Sequence, residues 1–74
     1  MRRSEFAELA DHVFGPSLAR TYTHDLVLEE IGGLSAAEAI ERGVAVRAVW
    51  NALCDAMEVP ESARWEIPVE QRRR

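Results

Sequence analysis

Between Leu34 and Met57 the chain reads LSAAEAIERGVAVRAVWNALCDAM: a capped short helix, a glycine stop and a second amphipathic helix. Ser35 and Glu38 have capping-box spacing, in which each side chain satisfies the other's backbone N–H. The helix that starts there is predicted to run about two turns, to Arg42, where Gly43 ends it. From Val46 onward, Val49, Trp50, Leu53, Cys54 and Met57 fall at i+3, i+4, i+7, i+8 and i+11, the spacing of a single helix face. Ala39, Gly43, Val44 and Val49 supply the small crossing residue, turn glycine, apolar turn residue and packed residue of a helix-turn-helix. Such a pair reads DNA, grips a protein or closes a core, so it constrains architecture more than purpose.

Upstream, Ser4 is a candidate N-cap, and Phe6, Leu9, Ala10, Val13 and Phe14 share one helical face, which predicts a first helix from about Glu5 to Phe14. Gly15 can end it and Pro16 suits the first position of the next. That second helix is predicted over Pro16 to Ile31, with Leu18, Tyr22 and Leu26 along one stripe. Val27, Leu28 and Ile31 lie off the stripe, which implies burial by several neighbours or a kink near Thr23. Gly32-Gly33 stops it. Val59-Pro60 closes the fourth helix, because proline disfavours helical geometry in the residue before it, and Glu61 to Arg64 have room for one further turn.

From Trp65 the period changes to two, with Trp65, Ile67 and Val69 alternating with Glu66, Pro68 and Glu70, and that means extended chain. Period-two runs are missing before Trp65, which argues against a sheet. The expected fold is all-α: a small four-helix bundle over residues 1–64, its last two helices paired like a helix-turn-helix, then an extended or disordered tail over residues 65–74.

Composition narrows the function classes. A chain of 74 residues hides only about 60% of the surface its unfolded form exposes, leaving little core from which to build an enclosed site. Cys54 is the single cysteine, so no internal disulfide is possible and a reducing, cytoplasmic setting is expected. Met1-Arg2-Arg3 has the basic start of a leader, but Ser4, Glu5, Glu8 and Asp11 interrupt any apolar run after it, and no stretch reaches a membrane span. The formal charge is −4, and setting aside the five arginines at the two ends (Arg2, Arg3, Arg72, Arg73 and Arg74) leaves −9 for Ser4 to Gln71. A body that acidic repels phosphate.

The candidate chemistry is correspondingly thin. His12, His24 and Cys54 lack ligand spacing, and a lone buried cysteine is ordinarily an inert small hydrophobe. Glu29-Glu30 and Glu38/Glu41 have the spacing of solvated helix faces. No catalytic residue, cofactor or metal ligand is expected, and the chain reads as non-enzymatic. For a partner, the candidates are Trp65, Ile67 and Val69 in the tail, because tryptophan anchors interfaces and an alternating segment fits a groove or sheet edge, together with the outward Arg47 and Asn51 on helix four. The competing reading has Trp65 folding back onto the bundle. DNA recognition by helix four is the weaker alternative, since Arg47, Ala48, Asn51 and Asp55 offer one cation, one amide and a repelling carboxylate, while DNA readers use several cations on phosphates. The expected partner is thus a protein, with neither membrane nor nucleic acid favoured.

Taken together, Phe6, Gly15-Pro16, Ala19-Arg20, Asp25, Val27-Leu28, Gly32-Gly33, Glu38-Ala39, Gly43-Val44, Val49-Trp50, Cys54 and Val59-Pro60 resemble a short actinobacterial family of unknown function, number three-zero-four-six among such families, over Met1 to about Arg64. The resemblance implies no established activity, cofactor or catalytic residue. It also implies a gene neighbourhood shared with the recombinase RecA and its regulator RecX, and so a link to DNA repair. Where that family tends to carry proline after the Gly-Val turn, this chain has Ala45, which implies a less rigid start to helix four.

Overall fold

The structure, a computed structural model, describes residues 1–65. It is mainly helical: α1 (Arg3–Phe14), α2 (Pro16–Asp25), α3 (Ala36–Glu41), α4 (Val46–Ala56) and the single turn α5 (Glu61–Arg64), with a two-stranded ladder of β1 (Val27–Leu28) and β2 (Leu34–Ser35) between α2 and α3.

Helix α1 begins two residues earlier than its sequence suggests. Ser4 lies inside the first turn, and the carboxylate of Glu5 reaches back to accept the Arg2 backbone N–H at 2.8 Å. At the corner, Gly15 takes φ 88° and ψ 149°, an extended conformation with positive φ that a side chain would oppose, and Pro16 opens α2 directly. Nearly complete burial of the small residues Ala10 and Ala19 accompanies the close packing of α1 on α2.

The long second helix is corrected. α2 stops at Asp25, Leu26 turns extended, and Val27 and Leu28 pair antiparallel with Ser35 and Leu34. The break falls two residues beyond Thr23. The hydroxyls of Thr21 and Thr23 bond back to the carbonyls of Ser17 and Ala19, at 3.3 and 2.7 Å, a competition with the helix ladder that weakens propagation. Glu29–Ile31 make a 3-10 turn, and Gly32 and Gly33, both at positive φ, reverse the chain so that Gly33 N–H donates to the Leu28 carbonyl at 3.0 Å. The glycines that read as a helix stop thus form a hairpin. A ladder of two residues per strand is too short to show an alternation. Leu18 is corrected as well: the inward face of α2 centres on Ala19, and Leu18 is 50% exposed.

Beyond the hairpin the sequence is followed closely. Ser35 Oγ accepts the Glu38 N–H at 3.2 Å while the Glu38 carboxylate accepts the Ser35 N–H at 3.1 Å, the expected reciprocal cap. Gly43 makes the turn at φ 96°, Ala39 is fully buried, and α4 buries Val49, Trp50, Ala52, Leu53 and Cys54.

Trp50 is the centre of the core. Its ring meets Phe6 at 5.4 Å and Phe14 at 6.1 Å, both edge-on, and Phe14 in turn meets Tyr22 at 5.2 Å. Edge-to-face pairs contribute about 0.5–1.5 kcal/mol each beyond their buried area. Among the described residues the indole N–H finds no acceptor, a desolvation cost of roughly 1–3 kcal/mol that these contacts must offset.

Candidate functional site

Three of the sequence candidates converge on one face of α4. Arg47, Asn51 and Asp55 are spaced one turn apart, and α5 with Trp65 lies against them. Trp65 continues the α5 turn with φ −112° and ψ 11°, so at this residue the extended reading gives way to a fold-back. Its ring stacks edge-on to buried Trp50 at 6.5 Å, and the Arg47 guanidinium sits 5.0 Å from its centre. Cation–π contact of this kind contributes about 0.5–1 kcal/mol at exposed sites. Trp65 nevertheless stays 37% exposed, at the edge of a depression of about 330 Å³ formed with Met1, Glu5 and Leu9. Ile67 and Val69 lie outside the described residues.

Arg64, which no periodicity or motif singles out, holds this face together. Its Nε donates to the Val59 carbonyl at 2.9 Å, one terminal nitrogen pairs with Asp55 at 2.7 Å, and the other approaches Asn51 Oδ1 at 3.5 Å. The Asp55 hydrogen bond raises the guanidinium pKa further above its ordinary value. The sole hint in the sequence is a lone arginine just after a proline-terminated helix that ends in an acid.

Beneath this face, Cys54 is a fully buried free thiol. Burial pushes its pKa from an ordinary 9.0 up to about 11, against the opposing pull of Arg64. Such a thiol is unreactive at neutral pH. His12 and His24 are both exposed, at the last turns of α1 and α2. Among the described residues no three His, Cys, Asp or Glu side chains come together as a metal site, and no helix is long and apolar enough to cross a membrane.

A second surface escaped the sequence reading. Val13, Phe14, Leu18 and Tyr22 from the α1–α2 corner face Met57, Glu58, Val59, Pro60 and Ala63 across an open groove of about 450 Å³. Glu58 is the one charged residue among those lining it, and its backbone has φ 58°. The Glu58 and Val59 N–H groups bond to the carbonyls of Asp55 and Cys54, at 3.1 and 2.9 Å. This is a Schellman termination of α4, with glutamate in the left-handed position where glycine is usual.

The fold and surface define a small, mainly helical domain built around one buried tryptophan, with a depression beside Trp65 and an apolar groove on its outside. Within that class, the sequence model of the family described as "Protein of unknown function (DUF3046)" matches residues 1–62, and the chain belongs to that family. The match bears out the resemblance carried by Gly15-Pro16, Gly32-Gly33 and Val49-Trp50, and it stops two residues short of Arg64. No curated protein and no solved structure matches the chain.

Proposed function

We propose that the chain is a small non-enzymatic interaction module of regulatory character, cytoplasmic, that docks onto a protein partner through the face carrying Trp65, Arg47 and Asn51. One observation carries this reading: Trp65 is kept more than a third exposed while Trp50 fixes its edge and Arg47 its face. Tryptophan and arginine dominate the energetics of interfaces. A ring already held in place avoids most of the ordering entropy that binding otherwise costs. Affinity capture from host lysate with the wild-type chain and with Trp65→Ala, each shown folded by circular dichroism, tests it. The expected result is a protein recovered by the wild type and lost with the variant; equal recovery by both defeats this face as the docking site.

The second reading is a helix-turn-helix that binds DNA, with a role linked to DNA repair. The packing of α3 on α4, with Ala39 buried and Gly43 turning between them, favours it as shape. Charge and access weigh against it. Arg47 is against Trp65, Asn51 and Asp55 are against Arg64, and a major groove could receive α4 on this side only after α5 had left. Fluorescence anisotropy with duplex DNA at low salt is expected to show no binding; tight binding with a steep salt slope would favour this second reading.

A further inference from the structure

The groove between the α1–α2 corner and the end of α4 shares no residue with the Trp65 depression, and its chemistry specifies an occupant. Eight of its nine lining residues are apolar or aromatic, and Leu18 is half exposed at its wall. The ninth, Glu58, has no cationic partner among the described residues, whose ion pair joins Arg64 to Asp55. A left-handed backbone at φ 58° disfavours a glutamate where glycine would relieve the strain, and this exposed glutamate lines the groove. Along the opposite wall the Met57, Glu58 and Val59 N–H groups are already bonded within the helix termination, and Pro60 has none to give. An extended segment would find no backbone donors there; a helix needs none, because its backbone is satisfied internally.

We propose that this groove receives an amphipathic helix of a partner protein, one that sets apolar side chains beside Leu18, Tyr22 and Met57 and an arginine or lysine on the Glu58 carboxylate. A second copy of this chain fits less well. A two-fold contact through the same groove would enclose two Glu58 carboxylates in one apolar interface, with no cation among the lining residues to pair with either.

The probe is a pair of synthetic peptides of about 18 residues, long enough for a stable helix, with leucines at helical i, i+3, i+4, i+7 spacing and either arginine or glutamate on the flanks. Binding is followed by amide chemical shifts of the full chain. The arginine peptide is expected to shift the amides of Leu18, Tyr22 and Met57 to Val59, and to bind about tenfold more weakly to Glu58→Gln and to Leu18→Ser. The glutamate peptide is expected not to bind. Glu58→Gly separates function from folding: it is expected to raise Tm by about 4 °C while weakening the arginine peptide as Glu58→Gln does. Equal binding of the two peptides, unchanged affinity in Glu58→Gln, or self-association abolished by Leu18→Ser would overturn the proposal. So would shifts confined to Arg47 and Trp65, an outcome that leaves the Trp65 face standing; conversely, loss of that face in Trp65→Ala leaves the groove measurement intact.

Discussion

Two surfaces bordering α4 differ in how they are finished. On the Arg47–Asn51–Asp55 side, Arg64 and Trp65 satisfy what α4 presents: the amide, the carboxylate and the guanidinium all have partners, and the Val59 carbonyl at the helix end is capped by Arg64. At the C-terminal end of the same helix, the groove beside Leu18 is left open, and its one carboxylate has no cation among the described residues. The closed side ties α5 to α4 and holds the half-exposed Trp65 indole and Asp55 carboxylate against partners. The open side backs onto the core through Phe14 and Tyr22 yet leaves apolar area such as Leu18 exposed, the feature that marks interaction surfaces when it is contiguous.

The contrast breaks most completely at the residue beneath the closed side. Trp50→Ala is expected to cost about 3–5 kcal/mol, most of the roughly 5 kcal/mol that such a domain has, and urea titration followed by circular dichroism should find the variant largely unfolded at 37 °C. Next in size is the thiol below Arg64. The folded pKa of Cys54 lies above its ordinary value, so the stabilisation is whole below pH 9.0 and is lost as the pH rises toward about 11, on the order of 2 kcal/mol in all. Urea midpoints at pH 8 and pH 11 should separate by more in the wild type than in Cys54→Ala, which has no proton to lose. Arg64→Ala, which uncaps the Val59 carbonyl and frees Asp55 and Asn51, is expected to lower Tm by about 5 °C. Since Asp55 is 46% exposed, added salt should change that drop only slightly, the carbonyl bond being the larger share.

The open side should be quieter. Leu18→Ser is expected to move stability by no more than about 0.5 kcal/mol, and a larger loss by chemical denaturation would show that the groove is core after all. Smaller still, and belonging to neither surface, is Ala45→Pro. Ala45 has φ −56° and ψ 131° at the start of α4, already the geometry of proline, so the substitution is expected to add about 0.4–1 kcal/mol by restricting the unfolded chain. Its N–H donates no backbone hydrogen bond outside the regular elements.

The sequence announces the parts governed by local rules. The Ser35/Glu38 cap, the Gly43 turn and the inward stripe of α4 each follow from spacing within a dozen residues, and each is present, whereas α4 ends at Ala56, before Val59-Pro60, where Glu58 takes the left-handed position. The hairpin was hidden because Val27-Leu28 and Leu34-Ser35 are shorter than any period, and because a glycine pair serves a helix stop and a chain reversal equally well. Among the candidate site residues, Trp65, Arg47 and Asn51 could be named from residue type, but their convergence depends on Arg64 reaching thirteen residues back to Asn51. The groove depends on the α1–α2 corner meeting the end of α4, a contact between distant segments that no pattern in either one encodes.

Ser35 belongs to two motifs at once: its backbone pairs with Val27 as the end of the ladder, and its hydroxyl starts α3. The hairpin and the helix pair therefore meet at one residue, with no linker to let either come loose alone. Amide exchange should register a shared opening event across Val27 to Glu38, and so small a protein gains from this a cooperativity that its thin interior would not supply.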